Sequence, residues 1–191
     1  MPEKGDMVLK PEQSRALELV FQGKDVFIWF PTGFGKSVCY QAVPFMFDFK
    51  LGRNYVSDPV DRSVVIVVSP LVSLMVDQVN NLRSTGVGAA ILSGGQFDKH
   101  EELLASERDI EQGKFSLLFG APESIVGVER WRQLLIGEPL CHQIVAVAID
   151  EAHCVYKWYL VYVMLSMASC VFDCLHYVFT YTCIHVQESQ I

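Results

Sequence analysis

The chain has 191 residues, of which 51% are hydrophobic, and this suits one α/β domain or slightly more. Its formal net charge of −7 excludes a global basic field, so any nucleic-acid surface must be local. The six cysteines have no framework spacing and no signal peptide precedes them, which predicts reduced thiols inside a cell.

Short apolar runs alternate with helical patterns along the first 150 residues. The predicted helices are 11–22, 36–46, 71–83 and 98–112, and the predicted strands are 26–30, 64–68, 88–92, 115–119 and 144–149. This alternation favours an α/β fold with a parallel sheet and helices on both faces. Ligands of such sheets bind at the carboxyl ends of the strands.

A glycine-rich segment, residues 30–37, lies between the first strand and the second helix and reads Phe-Pro-Thr-Gly-Phe-Gly-Lys-Ser. Glycines allow positive φ and leave room for an anion, and the helix that follows adds its positive end. The usual pattern begins with a glycine, where this chain has Phe30. The candidate phosphate-binding residues are Thr32, Gly33, Phe34, Gly35, Lys36 and Ser37.

Two carboxylates, Asp150 and Glu151, directly follow the last predicted strand. Such a pair is costly at a strand end unless a metal or a proton relay uses it. Together with the glycine loop, it predicts nucleotide hydrolysis, in which a hydroxyl and an aspartate hold Mg²⁺ and a glutamate orients water. His153 is a candidate link to a second ligand, although a lone histidine is more often structural.

Five segments occur in the order of one helicase family. They read Leu-Lys-Pro-Glu-Gln at 9–13, Gly-Phe-Gly-Lys-Ser-Val-Cys-Tyr-Gln at 33–41, Val-Ser-Pro-Leu-Val-Ser-Leu-Met-Val-Asp-Gln at 68–78, Ala-Pro-Glu-Ser at 121–124 and Ala-Ile-Asp-Glu-Ala-His-Cys at 148–154. Over about residues 8–158 the chain resembles the first motor domain of RecQ-type superfamily 2 DNA helicases. The resemblance implies a RecA-like P-loop NTPase domain.

The resemblance also implies an ATP site with Mg²⁺. Gln13, helped by Lys10, would recognise adenine. Lys36, Asp150 and Glu151 would be the catalytic residues, with Glu151 as the base. The metal ligands would be Ser37 and Asp150. The whole nucleotide site would comprise Lys10, Gln13, Thr32, Gly33, Phe34, Gly35, Lys36, Ser37, Asp150, Glu151 and His153.

DNA is the partner that the resemblance implies, with 3′–5′ unwinding in recombination and repair. Residues 69–78 and 121–124 would line the path of a single strand or junction, through phosphate contacts that ignore sequence. The expected location is the nucleus in a eukaryote and the cytoplasm otherwise. No membrane partner is expected, and the oligomeric state stays open.

A competing motif lies at residues 92–96, which read Leu-Ser-Gly-Gly-Gln. It matches the signature loop of ABC-type transport ATPases, a different class of nucleotide hydrolase. In that class the loop lies shortly before the acidic strand, whereas here it lies far upstream of Asp150. The acidic pair is also followed by Ala-His rather than Pro-Thr. We interpret the match as coincidental.

Composition changes sharply after residue 158, because residues 159–191 contain no Lys and no Arg. We expect a motor domain at 1–158 and a divergent hydrophobic tail at 159–191 that is not part of the family fold. The second motor domain is absent from this sequence, so the fragment is expected to bind ATP without unwinding DNA alone. The alternative is a non-catalytic ATP- or DNA-binding module or a dominant-negative isoform.

Three interpretations of the tail remain open. It is a foreign segment from intron read-through, splicing or a gene-model error, or a membrane anchor over 159–184, or a metal site. Asp173 and His176 near the middle of the apolar stretch argue against a membrane span. The metal site would use Cys170, Cys174, His176, Cys183 and His185, whose spacing matches no known zinc pattern.

Overall fold

The computed structural model describes residues 8–53, 62–94, 100–150 and 180–184. Glu151 and His153 lie outside the described residues. So do Gln96 of the competing motif and all of the 159–191 segment except 180–184.

Six parallel strands form one sheet in the described part of the chain, in the spatial order β1-β6-β5-β2-β4-β3. They are β1 Val26–Trp29, β2 Val64–Val68, β3 Ala89–Leu92, β4 Leu117–Gly120, β5 Ile144–Ile149 and β6 Thr180–Ile184. The strands β2, β3 and β4 are buried at every position, as expected when helices cover both faces of a parallel sheet.

Seven α-helices and one short 3₁₀ helix accompany the strands in the described part of the chain. The α-helices are α1 Pro11–Phe21, α2 Lys36–Lys50, α3 Val72–Ser84, α4 Glu107–Glu111, α5 Pro122–Gly127, α6 Glu129–Ile136 and α7 Leu140–Gln143. Side chains of α1, α2 and α3 pack with alternate strand residues such as Val65 and Val67. Side chains of α4 to α7 pack with the intervening residues, such as Ile66, so the sheet carries one hydrophobic cluster on each face.

The five strands and first three helices of the sequence prediction are confirmed, but the predicted helix 98–112 is wrong. A 3₁₀ turn at Glu101–Leu103 is followed by extended backbone at Leu104, and a helix starts again only at Glu107. Leu104 bridges Ile91 of β3, and the Ala105 amide donates to the Ile91 carbonyl at 2.9 Å. Ser106 then caps the new helix by accepting from the Asp109 amide.

Strand β6 lies between the edge strand β1 and β5, and it comes from the segment that we expected to lie outside the fold. Its residues pair with β1 on one side, from Val26↔Tyr181 to Trp29↔Ile184. They pair with β5 on the other side. At least residues 180–184 therefore belong to the sheet, and the predicted domain boundary at residue 158 stays a prediction.

Candidate nucleotide-binding site

The glycine loop and Asp150 both lie at the carboxyl edge of the sheet. The loop follows β1, Asp150 follows β5, and β6 lies between them. Two strand spacings therefore separate the ends of β1 and β5, about 10 Å. The Asp150 amide donates to the Val68 carbonyl at 2.8 Å, which keeps the chain beyond β5 attached to β2. Asp150 itself is 8% exposed, so its carboxylate lies at a nearly dry strand end.

The loop backbone has the shape that its glycines allow. Gly33 and Gly35 have φ angles of 77° and 91°, in the left-handed region that side chains disfavour. Phe30, which replaces the glycine of the usual pattern, lies against Phe34 with ring centroids 4.6 Å apart. The departure from the pattern is thus accommodated by an aromatic pair that encloses the loop.

Helix α2 begins directly after the loop with Lys36 and runs for 15 residues. Its first turn has no acidic residue, so its free amides and positive dipole end remain available to an anion. The Lys36 ammonium donates to the carbonyls of Phe30 at 3.0 Å and Pro31 at 3.4 Å. Because both acceptors are neutral, the positive charge is not cancelled by them and remains available to phosphate.

The side-chain amide of Gln13 connects the loop to the start of α1. Its Nε2 donates to the carbonyls of Phe34 and Gly35, both at 3.1 Å, and its Oε1 accepts from the Lys10 amide at 2.8 Å. The side chain is 5% exposed. The predicted adenine-reading amide therefore supports the loop in this structure, and its contact with adenine stays a prediction.

Lys10 lies beside Gln13 and also contacts the loop. Its ammonium donates to the Phe34 carbonyl at 3.3 Å and sits 3.8 Å from the centroid of the Phe34 ring. Such a cation–π contact at a partly exposed site contributes about 0.5–1 kcal/mol. Lys10, Gln13, Phe34 and Gly35 are thus brought together as the sequence predicted, while Thr32 and Gly33 lie exposed at the tip of the loop.

Ser37, the predicted metal ligand, is contacted by a helix that the sequence assigned to DNA. Its hydroxyl accepts a hydrogen bond from Gln78 Nε2 of α3 at 3.0 Å. Gln78 Oε1 in turn accepts from Gln41 Nε2 of α2 at 2.7 Å. Sequence reasoning gave Gln41 no role and placed Gln78 within the DNA path. The only sequence signal for these two glutamines was that both lie in segments that carry the family resemblance.

The described residues fit a nucleotide with Mg²⁺. Ser37 and Asp150 supply hydroxyl and carboxylate oxygens, the ligands that Mg²⁺ prefers. In the described ranges, neither this site nor any other brings together three or more His, Cys, Asp or Glu side chains. A site with one or two carboxylates is typical of Mg²⁺ that also binds phosphate oxygens and water.

The predicted DNA path is only partly accessible. Ser69 and Ser124 are 1% and 6% exposed, whereas Leu71 and Ser73 at the start of α3 are exposed. Asp77 is also exposed on this helix and adds a negative charge. The accessible part of the predicted path is therefore mainly the beginning of α3.

A cationic side chain that the sequence analysis missed lies at the β3 end of the same edge. Arg130 of α6 donates to the Ser93 carbonyl at 3.3 Å and stacks 4.3 Å from the ring of Trp131. The buried Trp131 indole donates to the same carbonyl at 2.8 Å. Arg130 remains exposed, so its guanidinium is held in place while facing solvent. Helix α6 was not predicted, and no motif singled out this arginine.

Comparison with known proteins places this site in context. A family model described as "DEAD/DEAH box helicase" matches residues 10–183. "ATP-dependent DNA helicase Q-like 4B" of Arabidopsis thaliana is 33% identical over 157 residues, covering 81% of this chain and 12% of that protein. "ATP-dependent DNA helicase RecQ" of Bacillus subtilis is 34% identical over 148 residues, covering 76% of this chain and 21% of that protein.

A solved structure has the same fold. The DUF1998 helicase MrfA, bound to DNA and AMPPNP, aligns with a TM-score of 0.70 over 97% of this chain and 25% of its own. The sequence identity is 15%, so this likeness concerns the fold. In the described part of the chain, no helix has the length and apolar character needed to cross a bilayer.

Proposed function

The chain belongs to the DEAD/DEAH box helicase family, and from this premise we propose that it is the ATP-binding motor domain of a RecQ-type DNA helicase. It spans 12% and 21% of the two relatives described above. Unwinding with 3′–5′ polarity, in recombination and repair, is therefore proposed for a whole helicase that contains such a domain. ATP binding is proposed for this chain.

The observation that carries the proposal is the cradle around the glycine loop. Gly33 and Gly35 open the backbone, Lys36 contributes an ammonium bonded only to neutral carbonyls among the hydrogen bonds described above, and α2 directs its positive end to the same place. Three adjacent phosphates carry the complementary charge. This combination favours a nucleoside triphosphate over a singly charged anion.

Each residue of the site has a proposed task. Lys36 would bind the terminal phosphates, while Ser37 and Asp150 would hold Mg²⁺, which neutralises phosphate charge when bound. Glu151 would accept the proton of the attacking water, and His153 would report on a second ligand. Lys10 and Gln13 would contact adenine after Gln13 releases the loop carbonyls it now holds.

We expect this chain alone to bind ATP but to hydrolyse it near background. The resemblance implies that the arginine finger comes from a second motor domain, and such an arginine contributes about 10³–10⁵ in rate. The alternative function is a non-catalytic ATP- or DNA-binding module. DNA-stimulated hydrolysis by this chain that Glu151→Gln abolishes would contradict both the expected background rate and the non-catalytic alternative.

DNA is the proposed partner, as a single strand or junction bound without sequence preference. The exposed start of α3 and the fixed guanidinium of Arg130 lie at the edge where parallel sheets bind ligands. Phosphate contacts of this kind suit a motor that moves along any sequence. The corresponding location is the nucleus in a eukaryote and the cytoplasm otherwise.

The nucleotide proposal is tested by the affinity of the full chain for a fluorescent ATP analogue with Mg²⁺. A charge-assisted hydrogen bond contributes about 1.5–3 kcal/mol, so Lys36→Ala should weaken binding by about 10- to 100-fold. Lys50→Ala is the matched control, because Lys50 lies at the other end of α2, over the Phe21 ring. Equal affinities of wild type and Lys36→Ala would refute the assignment.

A further inference from the structure

Two glutamine side chains connect α3 to the hydroxyl of Ser37. Gln41 Nε2 donates to Gln78 Oε1 at 2.7 Å, and Gln78 Nε2 donates to Ser37 Oγ at 3.0 Å. Gln41 and Ser37 are both on α2, one turn apart, whereas Gln78 reaches them from the next helix. The three side chains therefore form a hydrogen-bonded bridge between the two helices.

The direction of these bonds determines what Ser37 has left to offer. A serine hydroxyl has one proton and two acceptor lone pairs. Gln78 occupies one lone pair, so the other lone pair and the proton remain available. Gln41 presents its NH₂ to Gln78 in this structure, so a reversed Gln78 amide alone would place two NH₂ groups against each other.

The backbone of α3 anchors Gln78. Met75 and Val79, on either side of it, are both 0% exposed within the hydrophobic cluster that α1, α2 and α3 share. Gln78 itself is only part-buried, at the border between this cluster and the nucleotide site. Because its neighbours are fixed, the amide position follows the position of α3 relative to α2.

We propose that Gln78 is a positioning residue for the divalent cation that accompanies the nucleotide. It orients the Ser37 hydroxyl so that the remaining lone pair faces the cation, and Gln41 keeps the Gln78 amide in the required direction. Hydrogen-bonded partners of this kind orient metal ligands and tune the affinity of the metal. This inference rests on the proposed ATP–Mg²⁺ function of the same loop.

In this proposal the position of α3 relative to α2 affects cation binding. A ligand that shifts α3 relative to α2 would lengthen the 3.0 Å contact and weaken cation binding at Ser37. Such a ligand would contact α3 at its exposed start, where Leu71 and Ser73 lie. Cation affinity would then depend on what occupies that surface.

The test is a Mg²⁺ titration of fluorescent ATP-analogue binding to the full chain, with a parallel measurement in EDTA. Gln78→Met keeps an unbranched side chain and removes both hydrogen bonds. Loss of such a partner typically weakens metal affinity by about 10- to 100-fold, so we expect the half-saturating Mg²⁺ concentration to rise about tenfold. Affinity in EDTA should change by less than about twofold, because no phosphate contact is removed.

Two further variants make the result specific. Gln41→Met should raise the half-saturating Mg²⁺ concentration less than Gln78→Met does, and the double variant should resemble Gln78→Met alone, because both act on one bond to Ser37. Asn80→Met is the matched control, since Asn80 is an exposed amide on the same helix. If Gln78→Met melts below the assay temperature, the Gln41→Met result decides the question.

The outcomes separate the two proposals. If nucleotide binding requires Lys36, but Gln78→Met and the wild type have the same half-saturating Mg²⁺ concentration, the positioning role is overturned. The nucleotide function then remains intact. An equal loss in Mg²⁺ and in EDTA also overturns it, since Gln78 would then support the loop in general. Absence of nucleotide binding by the wild type overturns both.

Discussion

The two faces of the sheet are covered by helices of very different length. On one face, α1, α2 and α3 contain 11, 15 and 13 residues. On the other, α4 to α7 contain 5, 6, 8 and 4 residues. Apart from Asp150 at the end of β5, the candidate nucleotide contacts described above come from the long helices and from the loop between β1 and α2.

The short-helix face depends instead on a few anchoring side chains. Trp131 is 2% exposed and its indole also closes the end of β3 through the Ser93 carbonyl. Ile125 of α5 would collide with a side chain at Gly120 of β4, with a nearest approach of 2.7 Å. Close local packing of these side chains is therefore what holds this face together.

The largest effects on stability are expected from one core substitution on each face of the sheet. Phe119→Ala and Trp131→Ala should each lower the free energy of unfolding by about 3–5 kcal/mol. Phe119 packs edge-on against Tyr40 of α2, with centroids 6.4 Å apart, so its loss should also weaken ATP-analogue binding. Urea unfolding and binding below the melting temperature measure both. If Trp131→Ala folds but does not bind the ATP analogue, the nucleotide site depends on the short-helix face as well, and the contrast between the faces is wrong.

The next effect tests whether the loop depends on its glycines or on its contact with α1. Gly35→Ala adds a Cβ at φ 91° that would lie 2.7 Å from Gln13 Nε2. Gly52→Ala is also at positive φ, 65°, but meets nothing within 4 Å. Both should cost about 1–2 kcal/mol of backbone strain, and only Gly35→Ala should also reduce nucleotide affinity. Equal binding by the two variants would show that the Gln13 contact is dispensable.

A smaller effect is expected at the start of α4. Ser106→Ala removes the cap that accepts from the Asp109 amide and should cost about 1 kcal/mol. Lys114 and Ser106 hold the pKa of Asp109 below its usual value. A lowered folded pKa stabilises the protein above the unfolded pKa, and this contribution is lost as pH falls through the folded pKa. The difference in melting temperature between neutral and acidic pH should therefore be smaller for Ser106→Ala than for the wild type.

The smallest effect concerns Arg130 and the proposed DNA contact. Arg130→Ala should reduce single-strand affinity by less than about 1 kcal/mol, because the guanidinium is exposed. The slope of log affinity against log salt should fall in magnitude by about one. Arg15→Ala is the control, since Arg15 is an exposed arginine on α1 paired with Glu18. An unchanged salt slope in Arg130→Ala would remove this residue from the DNA surface.

What the sequence predicts well is what periodicity and local rules determine. Strands such as β2, a run of five apolar residues, and long helices such as α3 were predicted because their patterns persist over several turns or positions. The helix predicted over 98–112 failed because extended pairing of Leu104 with β3 prevailed over local helix preference. Helices of four to eight residues carry too few turns to show a period.

The sequence named residues of the candidate site but not the hydrogen bonds that connect them. Lys10, Gln13 and the loop were named together from the motifs, and the structure brings them into contact. The Gln41–Gln78–Ser37 bridge joins side chains 37 to 41 positions apart, and no local pattern encodes such a pairing. Arg130 was missed because its helix was missed.

The position of β6 has a consequence for the order in which the chain assembles. The last described strand to leave the ribosome occupies the gap between β1 and β5, which are made much earlier. Until residues 180–184 arrive, β1 has no strand partner among those described, and both β1 and β5 have exposed edges. Non-local pairing of this kind slows folding, and it leaves intermediates with unpaired strand edges that favour aggregation. The sheet that carries the glycine loop and Asp150 is therefore joined between β1 and β5 only after residues 180–184 have been made.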